Sequence, residues 1–418
     1  MAILRVGDGS DGDITISTSK NINTDLITGA RSYADGVNYR VNALGSNYAT
    51  AAATPNGIAV GDQVILINLM GRTDNWDNSG NYEIFTVDYI SSSDVYFTQP
   101  INEYYGDNGG NGNITLHPVM IQRVPNYNTL TLDSGAILTC SDCADGDNVI
   151  NGLIIFKCKE TLTLTNGYIT ADNRGYGGST TGYANGYGYG KGDGSYSSQN
   201  VGGGGGYGTT GAGPGNNYSY GVADLTRLHV GSGAGGGWYN PTKYLGGDGG
   251  GAIFIMATTI TISTGTITAD GQTGVAGGVA GGGGGSGGAV LLHAYTVTLP
   301  NSSVGADRGL DGSPTYNGIG GYGRVAIYSN AGSTGTIVPT PYTSTISLPF
   351  KLSGTITNGP AQYLRIYDPD SGELINTYSG IASGAYEVDA PGSGPYDVTA
   401  RKSDGNMVSH GDVIPVEI

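Results

Sequence analysis

Four stretches of the chain alternate threonine or serine with an aliphatic residue, turn, run through a shorter strand and leave through an acidic residue. They read TLTLDSGAILTCSD at 129–142, TLTLTNGYITADNR at 161–174, TITISTGTITADGQ at 259–272 and TVTLPNSSVGADRG at 296–309. Strict alternation has the two-residue period of a half-buried strand. Leu162 and Leu164, or Ile260 and Ile262, therefore fall on one face and the threonines on the other. Leu164, Ile262 and Leu299 occupy equivalent core positions. The stretch DITISTSKNINTD at 13–25 reads as a degenerate copy of the unit. A second apolar segment lies between copies, following glycines and expected to precede the alternating strand within a few residues: GLIIFKC at 152–158, GAIFIMA at 251–257, GAVLLHA at 288–294 and GRVAIYS at 323–329.

The spacing between units is 32 residues from Thr129 to Thr161 and 37 from Thr259 to Thr296, but 98 from Thr161 to Thr259. The long gap predicts an insertion over 173–250. A unit of three short strands cannot bury its apolar face alone, whereas stacked units share a continuous core. The expected fold is all-β, with β-solenoid or β-helix-like repeats over 126–335. A sandwich of similar strands is the competing architecture.

Residues 1–125 read differently. AVGDQVILINLMG at 59–71 is a tight turn into a strand, and YEIFTVDYISSSDVYFTQPI at 82–101 is a hairpin. They predict an N-terminal antiparallel β module that caps the stack or attaches it, since an uncapped end exposes a sheet edge. Residues 346–418 alternate strands with turns at Asn358-Gly359, Asp370-Ser371-Gly372, Ser383-Gly384 and Asp404-Gly405, the pattern of a small Greek-key β-sandwich. The Pro- and Thr-rich TIVPTPYTSTISLP at 336–349 is the expected linker.

Glycine changes this picture. The chain holds 77 glycines in 418 residues, and 28 of the 78 residues from 173 to 250 are glycine. A second block, GVAGGVAGGGGGSGG, occupies 274–288. No third-residue period supports collagen. Two readings remain: flexible linkers, or extended helices of polyproline-II type whose bare backbones approach and hydrogen-bond. Interleaved aromatics favour order, because a linker gains nothing from them.

Formal net charge is −16, with 18 Lys and Arg against 34 Asp and Glu. No basic stripe is present to neutralise phosphates, so no nucleic-acid partner is expected. No apolar run is long enough to span a membrane, and MAILRVGDGSDGD lacks the basic and apolar regions of a secretion signal. If Met1 is the start, synthesis ends in a cytoplasm. Cys140, Cys143 and Cys158 make an odd count. Cys140-x-x-Cys143 could begin a zinc site, but a second ligand pair is missing and His117, His229, His293 and His410 are scattered. No metal or cofactor is expected.

Candidate chemistry is sparse. The chain carries no Gly-x-Ser-x-Gly elbow, no His-Glu-x-x-His and no phosphate loop. Asp172, Asp270 and Asp307 recur at equivalent repeat positions. They fit either paired carboxylates of a polysaccharide depolymerase or ordinary turn residues after a strand; no enzyme is expected. The chain has 30 tyrosines against 5 phenylalanines. Tyr183, Tyr187, Tyr189, Tyr207, Tyr218, Tyr220, Trp238 and Tyr239 lie in the insertion. Such rings stack on the apolar faces of sugars, and their polar tips pair with hydroxyls. These eight are the candidate receptor- or glycan-binding residues; covering glycine backbone is their alternative role.

Two resemblances follow. SGTITNGPAQYLRIYDPDSGELINTYSGIASGAYEV, from Ser353 onward, resembles the carboxypeptidase-regulatory-like (transthyretin-like) β-sandwich, which implies a non-catalytic accessory module. GGAIFIMATTITISTGTITADG before GGGGGSGG is similar to the glycine-rich tail-fibre and tail-tip adhesins of bacteriophages. That similarity implies glycine helices presenting aromatic loops to a host-surface glycan or protein receptor. It also implies a virion tail protein assembled in the host cytoplasm with other tail proteins, as a homo-oligomer, without membrane insertion. A prokaryotic extracellular adhesin or filament subunit is the alternative.

Overall fold

The computed structural model describes residues 2–3 and 6–413 apart from 70, 72–75, 108, 144–149, 196–200, 216–217, 240–241, 278–279, 314–316, 348–349, 357–360, 368–373, 382–383, 391–395 and 402–406; side chains are described from 6 to 346, Ser333 excepted. The chain divides into two units, Val6–Ser344 and a smaller one made of Met1–Arg5 with Thr345–Ile418.

In the large unit, six successive passes of chain stack as a parallel, β-helix-like sheet. The first rung is Gly12–Ile16 with Lys20–Asn21, and the second is Asn126–Leu132 with Ile137–Thr139. Leu153–Thr170 and Ala252–Thr268 are the third and fourth. Ala289–Leu299 with Val304–Gly305 forms the fifth, and Arg324–Tyr328 with Ala331–Thr334 the sixth. Units that the sequence separates into strands run together here. Leu153–Thr170 is continuous, and its register against Ala252–Thr268 shifts at two corners, between Cys158 and Thr161 and again between Leu164 and Gly167. Three walls per rung thus surround one core. Ile154, Phe156 and Cys158 come from the first wall, Leu162 and Leu164 from the second and Ile169 from the third. Like residues stack in register: Leu164 opposite Ile262, Ile154 opposite Ile253, and Ile253 opposite Val290. Leu164, Ile262 and Leu299 are all buried, as the alternation requires. Cys140 and Cys158 fill the same core as small apolar groups.

The N-terminal boundary needs correction. Gly12–Ile16 pairs parallel with Asn126–Leu132, so residues expected in a separate module over 1–125 form the first rung. What lies between rungs one and two is a closed antiparallel barrel. Its strands are Asn38–Leu44, Tyr48–Ala51, Gln63–Asn68, Tyr82–Ser91, Asp94–Phe97 and Val119–Val124. Closure leaves no free edge. Phe85 and Phe97 stack at 4.3 Å in its core.

Arg123 ties barrel to stack. Its side chain is buried, donating from Nε to Asp62 at 3.0 Å and from Nη2 to both oxygens of Asp11 at 2.7 Å. A fourth bond runs from Nη1 to the Asp35 carbonyl at 3.1 Å. Asp11 in turn accepts from the Asn126 backbone at the entry to rung two.

The expected linker at 336–349 is also redrawn. Tyr342–Ser344 pairs parallel with Arg324–Tyr328 as a last strand of the stack, and Ile337 is buried in the core. Within the smaller unit, Ile346–Ser347 pairs with Ala2–Ile3. There too Phe350–Ile356 pairs with Gly384–Ala390, and a four-stranded antiparallel sheet runs Leu374–Ile381, Ala361–Tyr367, Tyr396–Arg401, Met407–Val413. The turns expected at 358–359, 370–372 and 404–405 lie outside the described residues. Among the described residues no helix is long and apolar enough to cross a membrane.

Candidate functional site

The glycine blocks form one hydrogen-bonded lattice. Residues 282–288 show its rule. Gly282, Gly285 and Gly288 donate to the carbonyls of Val275, Gln272 and Ala269, at 3.1, 2.9 and 2.7 Å. Gly283 and Ser286 donate to Gly235 and Ser232 at 2.9 and 3.0 Å, and Gly284 and Gly287 to Gly318 and Gly321 at 2.9 and 3.0 Å. Every third amide faces the same neighbour, which is the period of the polyproline-II helix. That helix makes no internal hydrogen bonds and so frees its amides for neighbours. Residues 202–206 repeat the rule: Gly202 and Gly205 donate to Gly281 and Gly284, Gly203 and Gly206 to Asp193 and Gly190. A side chain would not fit. A Cβ on Gly203 would lie 1.6 Å from the Pro214 carbonyl oxygen.

The eight expected binding residues fall into different places on this lattice. Tyr183, Tyr187, Tyr189, Tyr218 and Tyr239 are exposed and Trp238 is half-buried. Trp238 and Tyr239 sit on the antiparallel pair Gly237–Tyr239 and Thr242–Tyr244. Trp238 meets Tyr183 edge-on at 6.5 Å, and Lys243 lies 5.5 Å over the Tyr183 ring. Tyr207 is a correction. It is fully buried, packed on Tyr220 at 4.7 Å with Arg324 over its ring, and cannot meet a receptor. Burial lifts its hydroxyl pKa, which keeps it neutral. Tyr220 is largely enclosed too: its hydroxyl donates to the Val230 carbonyl at 2.7 Å and lies 3.0 Å from Ser232 Oγ. Tyr207 is closed off from solvent, whereas Tyr220 is half-buried and lines an open pocket.

Side chains from the barrel complete an aromatic group that the sequence did not bring together. Trp76 stands edge-on to Tyr189 at 5.3 Å and to Tyr176 at 6.1 Å. Tyr189 is edge-on to Tyr220 at 5.4 Å. An open pocket of about 410 Å³ lies among Trp76, Asp77, Tyr189, Tyr220, Arg227 and His229. His229 is buried, and its Nδ1 is 3.1 Å from Ser79 Oγ. Burial, with the charges of Arg227 and Arg324 adding to it, pushes its pKa down to about 3 and keeps it neutral. The signal for Trp76 was an indole set in the polar stretch RTDNWDNSG rather than in a strand. Nothing local marked Arg227.

The three recurrent aspartates form a ladder. Asp172 accepts from the Asp270 backbone amide at 2.7 Å and from Thr268 Oγ1 at 3.1 Å; Asp270 accepts from the Asp307 amide at 2.6 Å. Asp172 and Asp270 thus each fasten the exit of the next rung, whereas Asp307 accepts from the adjacent Arg308 amide at 2.7 Å. Burial first, then the neighbouring carboxylate of Asp172, raises the Asp270 pKa to about 6.

No family model matches the chain, and no curated protein matches it. Among solved structures, the tailspike protein gp49 from Pseudomonas phage LKA1 is 11% identical, over 97% of this chain and 88% of that one, with a TM-score of 0.18. The Gp54 tailspike of Acinetobacter baumannii bacteriophage AP22, in complex with A. baumannii capsular saccharide, is 10% identical over 91% and 86%, with a TM-score of 0.17. At TM-scores this low neither tailspike fixes the fold or the function of this chain.

Proposed function

We propose that the chain is a non-enzymatic structural protein of a phage virion, a tail fibre or tail tip that attaches the particle to a glycan or protein receptor on the host surface. The observation that carries this reading is the pairing of a stiff glycine lattice with exposed aromatics at its margin. Ordering costs are met by the backbone bonds of the lattice, so Tyr183, Tyr187, Tyr218 and Tyr239 are held in place before a ligand arrives. The aspartate ladder supports the non-enzymatic part, because Asp172 and Asp270 accept backbone amides of the next rung. The partners implied are other tail proteins and further copies of the chain. Residues 346–418 are proposed as the carboxypeptidase-regulatory-like accessory module.

Purified protein added to bacterial cells and to their extracted capsular polysaccharide and lipopolysaccharide tests the reading. Saturable binding is expected, with a loss of about tenfold or more when Trp238 and Tyr239 are both changed to serine. Release of reducing sugar ends from either polymer would make the chain a depolymerase and refute it.

A further inference from the structure

The pocket between the barrel and the glycine lattice offers more than a flat aromatic margin. We infer that it is a binding subsite for a single pyranose ring of a surface saccharide, held by Trp76, Tyr189, Asp77 and Arg227. The inference rests on the glycan-recognition reading above and adds to its Tyr189 three residues that reading does not use, Trp76, Asp77 and Arg227.

Size and shape come first. At about 410 Å³ the pocket is within the range of about 300–1,000 Å³ common to small-molecule sites. It is open on one side, as a site for one residue of a longer chain must be. Two aromatic walls meet nearly at right angles, 77° between Trp76 and Tyr189. A ring stacked on one wall therefore presents its edge to the other. Sugar rings carry axial C–H groups on a face and hydroxyls on the rim, which matches this corner.

Polar groups sit where the rim would fall. Arg227 and Asp77 are both exposed at the pocket mouth, and Arg227 Nη1 donates to the Asp77 carbonyl at 3.3 Å, so the two residues are held side by side. A guanidinium donates and a carboxylate accepts, so adjacent hydroxyls find both kinds of partner. His229, kept neutral, adds no second positive charge to the floor. The site is thus suited to hydroxyl recognition rather than to a free phosphate.

The walls are fixed before binding. Gly188, at φ +103°, packs so closely on Tyr176 that a Cβ would lie 2.6 Å from the ring, and Gly190 donates to Ser232 Oγ at 3.0 Å. Tyr189 between them has little freedom. Behind it, Tyr220 is held through its hydroxyl, and Arg324 donates to its carbonyl at 2.8 Å. On the barrel side, Ser79 Oγ meets His229 Nδ1, and the Leu228 amide donates to the Gly80 carbonyl at 2.8 Å. Both walls are therefore anchored to one another.

The chain has two tryptophans, Trp76 and Trp238, so indole emission reports on the pocket. The full-length protein is titrated with glucose, galactose, rhamnose, N-acetylglucosamine, N-acetylgalactosamine, glucuronate and galacturonate. At least one sugar is expected to shift the emission saturably. The shift should persist in Trp238→Phe and vanish in Trp76→Phe. Arg227→Ala and Tyr189→Ala should each weaken it about tenfold or more, with Tyr104→Ser, an exposed barrel tyrosine, as the control that does not. Circular dichroism confirms that each variant folds, and Arg227→Lys, which keeps the charge but loses the fork, should be intermediate. No shift with any of the seven sugars overturns the proposal. Cell binding separates the two failures. Loss in Trp238→Ser/Tyr239→Ser but none in Arg227→Ala removes the subsite and leaves the attachment reading. Saturable cell binding that survives in both variants removes both sets of residues as the binding surface, and no saturable binding by the parent protein removes the attachment reading.

Discussion

Gly285→Ala separates an ordered glycine lattice from a flexible linker by the sign of its effect. A linker glycine replaced by alanine stabilises a protein by about 0.4–1 kcal/mol, because the unfolded chain loses freedom. In the lattice the same change has nowhere to go. A Cβ at Gly285 would lie 1.9 Å from the Asp248 carbonyl oxygen and 2.4 Å from its carbon, where real side-chain carbons keep 3.0 Å or more. The segments 246–250 and 282–288 must then part by about 1 Å. Two bonds join them, Gly247 N to Gly283 O and Gly250 N to Ser286 O, both 2.9 Å. Stretching both leaves two buried donors short of a partner, at about 1–3 kcal/mol each, or about 2–6 kcal/mol together. Gly29→Ala is the control, since a Cβ there meets nothing within 4 Å and the residue is exposed. Urea unfolding measures the difference. Amide hydrogen exchange at Gly247, Gly250 and 283–287 localises it, with slow exchange expected in the parent and fast exchange in the variant. A Gly285→Ala protein at least as stable as the parent, with fast exchange in both, would refute the lattice.

Two further outcomes follow from buried charge. Arg123→Met should destabilise by up to about 3–5 kcal/mol in urea unfolding, because Asp11 and Asp62 lose their buried partner and keep only Arg31, at 3.9 and 3.2 Å. Adding Asp11→Asn and Asp62→Asn should recover much of that loss, and no recovery would show that packing rather than charge is at stake. Asp270 gives a pH signature: its folded-state pKa of about 6 lies above the ordinary carboxylate value near 4. The folded state holds the proton more tightly, so its contribution is present below about pH 4 and lost as pH rises to about 6. Asp270→Asn should flatten stability across that window, and an unchanged slope in thermal melts would assign the titration to another group.

The repeats were legible because alternation survives at fixed offsets. Leu162, Ile260 and Val297 stack as the pattern requires, and nothing beyond one strand's length was needed to see it. The barrel was legible as hairpins but not as a closed ring. Closure depends on Asn38–Leu44 meeting Val119–Val124, and no local signal reports which distant edges pair. The same blindness hid the first rung, which the intervening barrel separates from its partner at Asn126–Leu132. In the insertion, glycine has no side chain and so no period that a pattern could reveal; the three-residue rule exists only in the hydrogen bonds. Tyr207 and Tyr218 look alike in sequence, eleven residues apart. One is sealed against Tyr220 and His229 and the other is the most exposed of the expected binding tyrosines, with 56% of its surface free.

The lattice also changes how shape and recognition relate. Read from sequence, 173–250 is an insertion that could be cut out, with Asp172 joined to Gly251 and the stack left standing. In the structure Gly283 and Ser286, which belong to the later glycine block, donate to Gly235 and Ser232 inside the insertion, and Gly205 inside it donates to Gly284. Removing 173–250 would therefore strip partners from 282–288, whose first-wall continuation Ala289–Leu299 is a rung of the core. Freedom to vary must then lie where the lattice ends rather than in the lattice. At Gly203 or Gly285 any side chain collides with backbone, whereas Tyr218 and Tyr239 stand beyond the interlocked segments with their rings in solvent. On the attachment proposed above, a receptor-facing surface could alter those two side chains without disturbing a lattice bond.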